Sequence, residues 1–174
     1  MPNTMTLISA TTVGSGGTAG VTFSSIPQTY TDLLLKVSYR SDRAQFNDYL
    51  RVRFNSSTTG YTDRNINQSS GSSTASESNN SSAYAFMFGL NGNTATASTF
   101  GSIDMYIPNY STDMIKTWSS DAITANNATF TQSSLTGGKW NNTAAITDLY
   151  IASHDTAKII LEHSSVYLYG IKNS

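Results

Sequence analysis

The residues of this chain with the most binding capacity are its five arginines, Arg40, Arg43, Arg51, Arg53 and Arg64, all crowded between positions 40 and 64. A planar guanidinium suits bidentate contact with carboxylate or phosphate, so the cluster reads as an anion- or partner-binding patch. Arg51 and Arg53 are two apart, which on a strand puts both side chains on one face. Arginine is also favoured at subunit interfaces, which makes an oligomer contact a further use. Against these stands plain local ion pairing, because Asp32, Asp42, Asp48 and Asp63 interleave with the arginines.

Other groups offer less. His154-Asp155 and Glu162-His163 suggest acid–base work or metal ligation. A general base needs a nucleophile or water held in a cleft, and neither pair sits in a recognisable motif. Neighbours on a strand also point to opposite faces. Gly14-Ser15-Gly16-Gly17 resembles a phosphate cradle, yet no Gly-Lys-Ser/Thr and no helical pattern follow it, so it reads as a turn. Asp104, Asp113, Asp121 and Asp148 lack calcium-loop spacing. With no cysteine and 2 histidines, disulfides, zinc-thiolate sites and a cysteine nucleophile are excluded. The expectation is a protein without catalytic residues, metal or cofactor. A glycan hydrolase would need two carboxylates facing each other across a cleft. Ten tyrosines, with Tyr167 and Tyr169 in alternation near the C-terminus, keep sugar stacking open as an alternative. Good strand propensity accounts for the same tyrosines.

The elements that must position these groups are legible in the composition. A chain of 174 residues fits one domain over 1–174 and buries roughly 70% of its unfolded surface. Ten Lys+Arg against 11 Asp+Glu leave a net charge of -1, which removes the field that nucleic-acid binders use. Charged residues are only 12%, while 27 Ser, 24 Thr and 15 Asn supply polarity without charge. Short hydroxyl and amide side chains compete with helix hydrogen bonds and favour turns and strands. No stretch approaches the roughly 20 apolar residues that span a bilayer, and the start carries no basic signal-peptide region. The expected place of synthesis is the cytoplasm, with no membrane or nucleic-acid partner.

Period-two alternation marks the strands. In 31–41, Leu33, Leu35, Val37 and Tyr39 share a face; in 48–55, Leu50, Val52 and Phe54 oppose Tyr49, Arg51 and Arg53. These two strands are expected close together in one sheet, joined by about seven residues. Further strands are expected at 4–12, 20–24, 83–90, 99–107, 114–124, 128–131, 144–153, 158–162 and 166–171. A helical turn within 44–49 is an option, and 135–140 reads as a loop. The segment 68–82, with eight serines in fifteen residues and no large apolar side chain, is expected as a long flexible loop. A domain boundary there would leave too little core before it. Strand spacing of this kind, without helical crossovers, predicts an all-β antiparallel two-sheet sandwich, jelly-roll-like.

Two terminal stretches add a resemblance. Leu7-Ile8-Ser9-Ala10-Thr11-Thr12-Val13-Gly14-Ser15-Gly16-Gly17 leads into Val21-Thr22-Phe23-Ser24-Ser25-Ile26-Pro27-Gln28-Thr29-Tyr30-Thr31-Asp32-Leu33. With the closing Val166-Tyr167-Leu168-Tyr169-Gly170-Ile171-Lys172, it resembles small structural proteins of tailed bacteriophages, over about a quarter of the chain. The resemblance implies a β-sandwich virion component with no catalytic residues to carry over. The small size, without heptads or collagen-like repeats, turns the expectation toward a capsid decoration (cement) protein on the capsid surface. Such a protein would be homo-oligomeric, with a trimer favoured, and would bind the major capsid protein or other virion proteins. The alternative is a tail-fibre or receptor-binding module that recognises host surface glycans.

Overall fold

The computed structural model describes residues 4–71, 74–126 and 130–172. Twelve strands form: β1 (Met5–Thr12), β2 (Val21–Phe23), β3 (Asp32–Tyr39), β4 (Asn47–Phe54), β5 (Tyr61–Ser69) and β6 (Ala75–Ser82), then β7 (Ala85–Asn91), β8 (Gly101–Ile107), β9 (Lys116–Ala125), β10 (Thr131–Trp140), β11 (Leu149–Ser153) and β12 (Ser165–Ile171). They make an eight-stranded sheet, β1-β12-β3-β8-β9-β10-β5-β6, and a four-stranded sheet, β2-β11-β4-β7. The expected antiparallel sandwich is what forms.

Its topology follows from two insertions. With the hairpins β5–β6 and β9–β10 set aside, the other eight strands pair outermost to innermost: β1 with β12, β2 with β11, β3 with β8 and β4 with β7. That is one long antiparallel ribbon rolled into two four-stranded sheets, the jelly roll. The inserted hairpins then pair with each other through β10 and β5, and β9 joins them to β8. One sheet is doubled; the other stays at four strands.

Alternation explains the core. Leu33, Leu35, Val37 and Tyr39 of β3 are buried, as are Leu50, Val52 and Phe54 of β4. Each large apolar side chain contributes roughly 1.5–3 kcal/mol by leaving water. Where the inserted half meets the jelly roll, the Phe54 ring lies 5.7 Å from Tyr61, 5.7 Å from Trp118 and 5.8 Å from Trp140. The Phe54 backbone N–H donates to the Tyr61 hydroxyl at 2.8 Å, and burial pushes that phenol up to about 12. Gly138 is glycine for a local reason: a Cβ there would overlap the Trp118 ring and the Thr62 carbonyl.

Several expectations are corrected. β3 and β4 share no sheet; the connection after Tyr39 crosses from one layer to the other. Both strands carry one apolar face, and such a face fits either side of a sandwich equally well. The segment 68–82 is not simply a loop: β5 runs to Ser69 and β6 takes Ala75–Ser82 as an edge strand. An edge strand needs only a hydrogen-bonding neighbour, which β5 supplies, so the lack of apolar residues is no obstacle. β5 carries no apolar alternation in the sequence, because its inward residues Asp63, Asn65 and Asn67 are polar. Asn67 Nδ2 donates to Asn65 Oδ1 at 2.7 Å, and Asn65 Nδ2 to Thr136 Oγ1 at 2.9 Å, so the amides satisfy one another. Residues 135–140 belong to β10, 144–153 shortens to β11, and 158–162 contributes only isolated bridges at Ile160. No helical turn forms at 44–49, where bends lead into β4. Part of the strand expected at 128–131 lies outside the described residues, and β10 begins at Thr131.

An arginine and aromatic face as candidate functional site

With Leu50, Val52 and Phe54 turned to the core, β4 presents Tyr49, Arg51 and Arg53 on the outer face of the four-stranded sheet. Register sets their neighbours. Arg51 lies opposite Phe86 of β7 on one side and Ala152 of β11 on the other, and Arg53 lies opposite Tyr150. The His154 backbone N–H donates to the Tyr49 carbonyl at 2.8 Å, which brings the imidazole alongside that tyrosine. Phe86 meets Phe88 at 4.6 Å and 86°, and His154 at 5.0 Å and 84°. Tyr49 lies 5.2 Å from Phe86 and 5.1 Å from Phe88. The result is a lattice of inclined rings with arginines set among them.

Each arginine is held differently. Arg51 is only 7% exposed, and its guanidinium lies 5.7 Å from the Tyr150 ring centroid. Its Nε is sealed from solvent and has no hydrogen-bond acceptor. Arg53 Nε donates to the Ala83 carbonyl at 3.3 Å. Arg43 sits 5.2 Å above the Tyr49 ring, donates to the Asn47 carbonyl at 3.0 Å and stands 4.0 Å from Asp48. The spacing argument for Arg51 and Arg53 is met, and Arg43 joins them from the preceding connection.

The other two arginines lie elsewhere. Arg40 is buried and donates to four carbonyls, of Thr96, Thr99, Asn93 and Ala95, at 2.8–3.0 Å. It holds a loop together. Arg64 is on the outer face of the large sheet, where it donates to the Asp63 carbonyl and to Asn80 Oδ1, both at 2.8 Å. Local ion pairing reaches Arg43, whose Nε stands 4.0 Å from Asp48 Oδ1. Among the described residues, no carboxylate stands within pairing distance of Arg51 or Arg53. Asp32 accepts from the Tyr106 hydroxyl and the Asn109 N–H, Asp42 from the Ile159 N–H, and Asp48 from Tyr39 and Ser153.

Sequence reasoning missed the aromatic half of this face. Tyr84, Phe86 and Phe88 alternate visibly in the chain, but their meeting with Tyr49 and His154, and that of Tyr150 with Arg51, depend on register between strands far apart in sequence. Tyr167 and Tyr169 lie on the outer face of the large sheet, opposite Lys36 and Leu34, away from the lattice. Among the described residues, no three His, Asp or Glu side chains converge as metal ligands would. His163 stands exposed 4.0 Å from Glu162, and Asp155 accepts from the Ala157 N–H.

His154 gives the face a pH dependence. Its Nδ1 lies 2.8 Å from the Tyr84 hydroxyl. Burial holds its pKa below the ordinary value of 6.5; Arg43 and Arg51 act in the same sense, while Asp48 and Asp155 oppose them. The folded state therefore binds a proton less readily than the unfolded chain. This stabilising contribution is complete above about pH 6.5 and is lost as pH falls through that value toward the lower folded-state pKa. Melting curves between about pH 7.5 and about pH 5 should fall more steeply for the native chain than for His154→Gln. Parallel curves would contradict the assignment.

No family model, curated protein or solved structure matches this chain.

Proposed function

We propose that this protein is a capsid decoration protein of a tailed bacteriophage, which binds the major capsid protein and stabilises the assembled shell. The observation that carries the reading is the arginine and aromatic lattice on the outer face of the four-stranded sheet. Arginine and tyrosine, desolvated and clustered, are the composition of protein–protein hot spots. The rings tilt into one another at 36–86° instead of offering a flat shared platform for a sugar ring, which favours a protein partner over a glycan. The terminal stretches that resemble phage structural proteins point the same way, and jelly rolls are recurrent in viral shells. A fold alone does not assign a function, so the weight rests on the face.

Stabilisation follows mass action: a protein that binds the shell and not its free subunits shifts the balance toward the shell. A symmetric lattice repeats each contact, and a homo-oligomer, a trimer in this proposal, gains avidity from that repetition. Densitometry of purified virions tests the reading. Copy numbers in the hundreds per particle are expected, in fixed ratio to the major capsid protein. A handful of copies would instead favour the tail-fibre or receptor-binding module.

A further inference from the structure

We infer that Arg51 is the anion socket of this face, and that the partner fills it with a carboxylate from an Asp or Glu side chain or a chain terminus. The inference rests on the decoration reading and specifies what the shell protein must present. Arg51 is more than nine-tenths buried, yet among the described residues it makes no hydrogen bond and no ion pair. Its Nε is closed off without an acceptor, and the residue as a whole keeps 7% of its surface exposed. The fork is held in place by apolar and aromatic neighbours, with Phe86 and Ala152 flanking it in register and the Tyr150 ring 5.7 Å away. A guanidinium so positioned has little rotamer freedom left to lose on binding and presents paired donors that match a carboxylate. Arg43 and Arg53 add positive charge on either side along the same face. The nearest acid to Arg43, Asp48, is fully buried: its Oδ2 accepts from Tyr39 and Ser153, and its Oδ1 stands 4.0 Å from Arg43. The charge this face lacks is negative.

The other arginines do not share this state. Arg40 has four carbonyl acceptors, Arg53 has the Ala83 carbonyl, and Arg64 has Asn80 and the Asp63 carbonyl. Only Arg51 combines burial with an empty set of acceptors among the described residues.

Two measurements on the full chain test this. In the first, the arginine Nε–H resonances are followed by NMR while capped glutamate, capped glutamine, inorganic phosphate or sialyllactose is added. The Arg51 resonance should move with capped glutamate and stay in place with capped glutamine. No movement with capped glutamate, or a larger one with phosphate or sialyllactose, would overturn the carboxylate assignment, the last in favour of a glycan. In the second, binding to purified shells lacking this protein is measured for the native chain and for Arg51→Met. Affinity should fall about tenfold or more with no drop in melting temperature, since the substitution removes an unpaired buried charge. Equal binding by Arg51→Met would overturn the inference and leave the decoration reading standing. Failure of the native chain to bind shells would instead sink the decoration reading itself.

Discussion

Arg40→Ala should unfold the protein far more readily than it weakens any attachment. The guanidinium binds four carbonyls within residues 93–99, and its removal takes a charged donor from all four; the Ala95 carbonyl is buried, while the Thr96 carbonyl keeps the Thr99 N–H and hydroxyl. A hydrogen bond to a charged group contributes about 1.5–3 kcal/mol, and water at the more exposed carbonyls holds the total for the four to roughly 3–4 kcal/mol. In a domain of this size that corresponds to a melting temperature lower by roughly 6–15 °C. Arg40→Lys should recover little, because three donors on a single ammonium cannot reproduce a planar fork that serves four acceptors. Below its melting point, the Ala variant should bind shells as the native chain does. A variant that melted normally but failed to attach would return Arg40 to the partner-binding group in which its sequence position places it.

Phe54→Ala should be of similar or larger magnitude. Phe54 is fully buried where the jelly roll meets the inserted strands, in ring contact with Tyr61, Trp118 and Trp140. Removing a buried phenyl ring costs about 3–5 kcal/mol, from lost transfer energy and the cavity left behind. The two tryptophans report locally, so their fluorescence should shift even at temperatures where the sheet persists. Tyr61→Phe should cost less, about 1–2 kcal/mol, because it removes only the hydroxyl that the Phe54 N–H donates to. Equal losses for the two variants would mean that the hydroxyl, and not the ring cluster, joins the two halves.

How far the chain announces its fold depends on which way each strand's apolar residues point. β3 and β4 are legible because Leu33, Leu35, Val37 and Tyr39, and likewise Leu50, Val52 and Phe54, repeat every second residue. β5 is not, because its inward positions hold Asp63, Asn65 and Asn67, whose amides find partners only once β10 lies beside them. Nothing in β3 or β4 says that they occupy opposite layers, since period two sets a face and not a sheet. The same limit applies to the site. Spacing alone places Arg51 and Arg53 side by side. It cannot separate them from Arg40, whose carbonyl partners lie 53 to 59 residues further along the chain. Nor can it bring Tyr150 and Phe86 to Arg51, which takes both neighbouring strands in register.

Hydroxyl-radical footprinting of the particle-bound and free protein tests the adhesive role of the four-stranded sheet most directly. Tyr49, Tyr84, Phe86 and Tyr150 should lose reactivity on the shell, while Tyr167 and Tyr169 on the opposite sheet change less. Full reactivity of the first four in the bound state, with protection confined to the large sheet, would contradict the account.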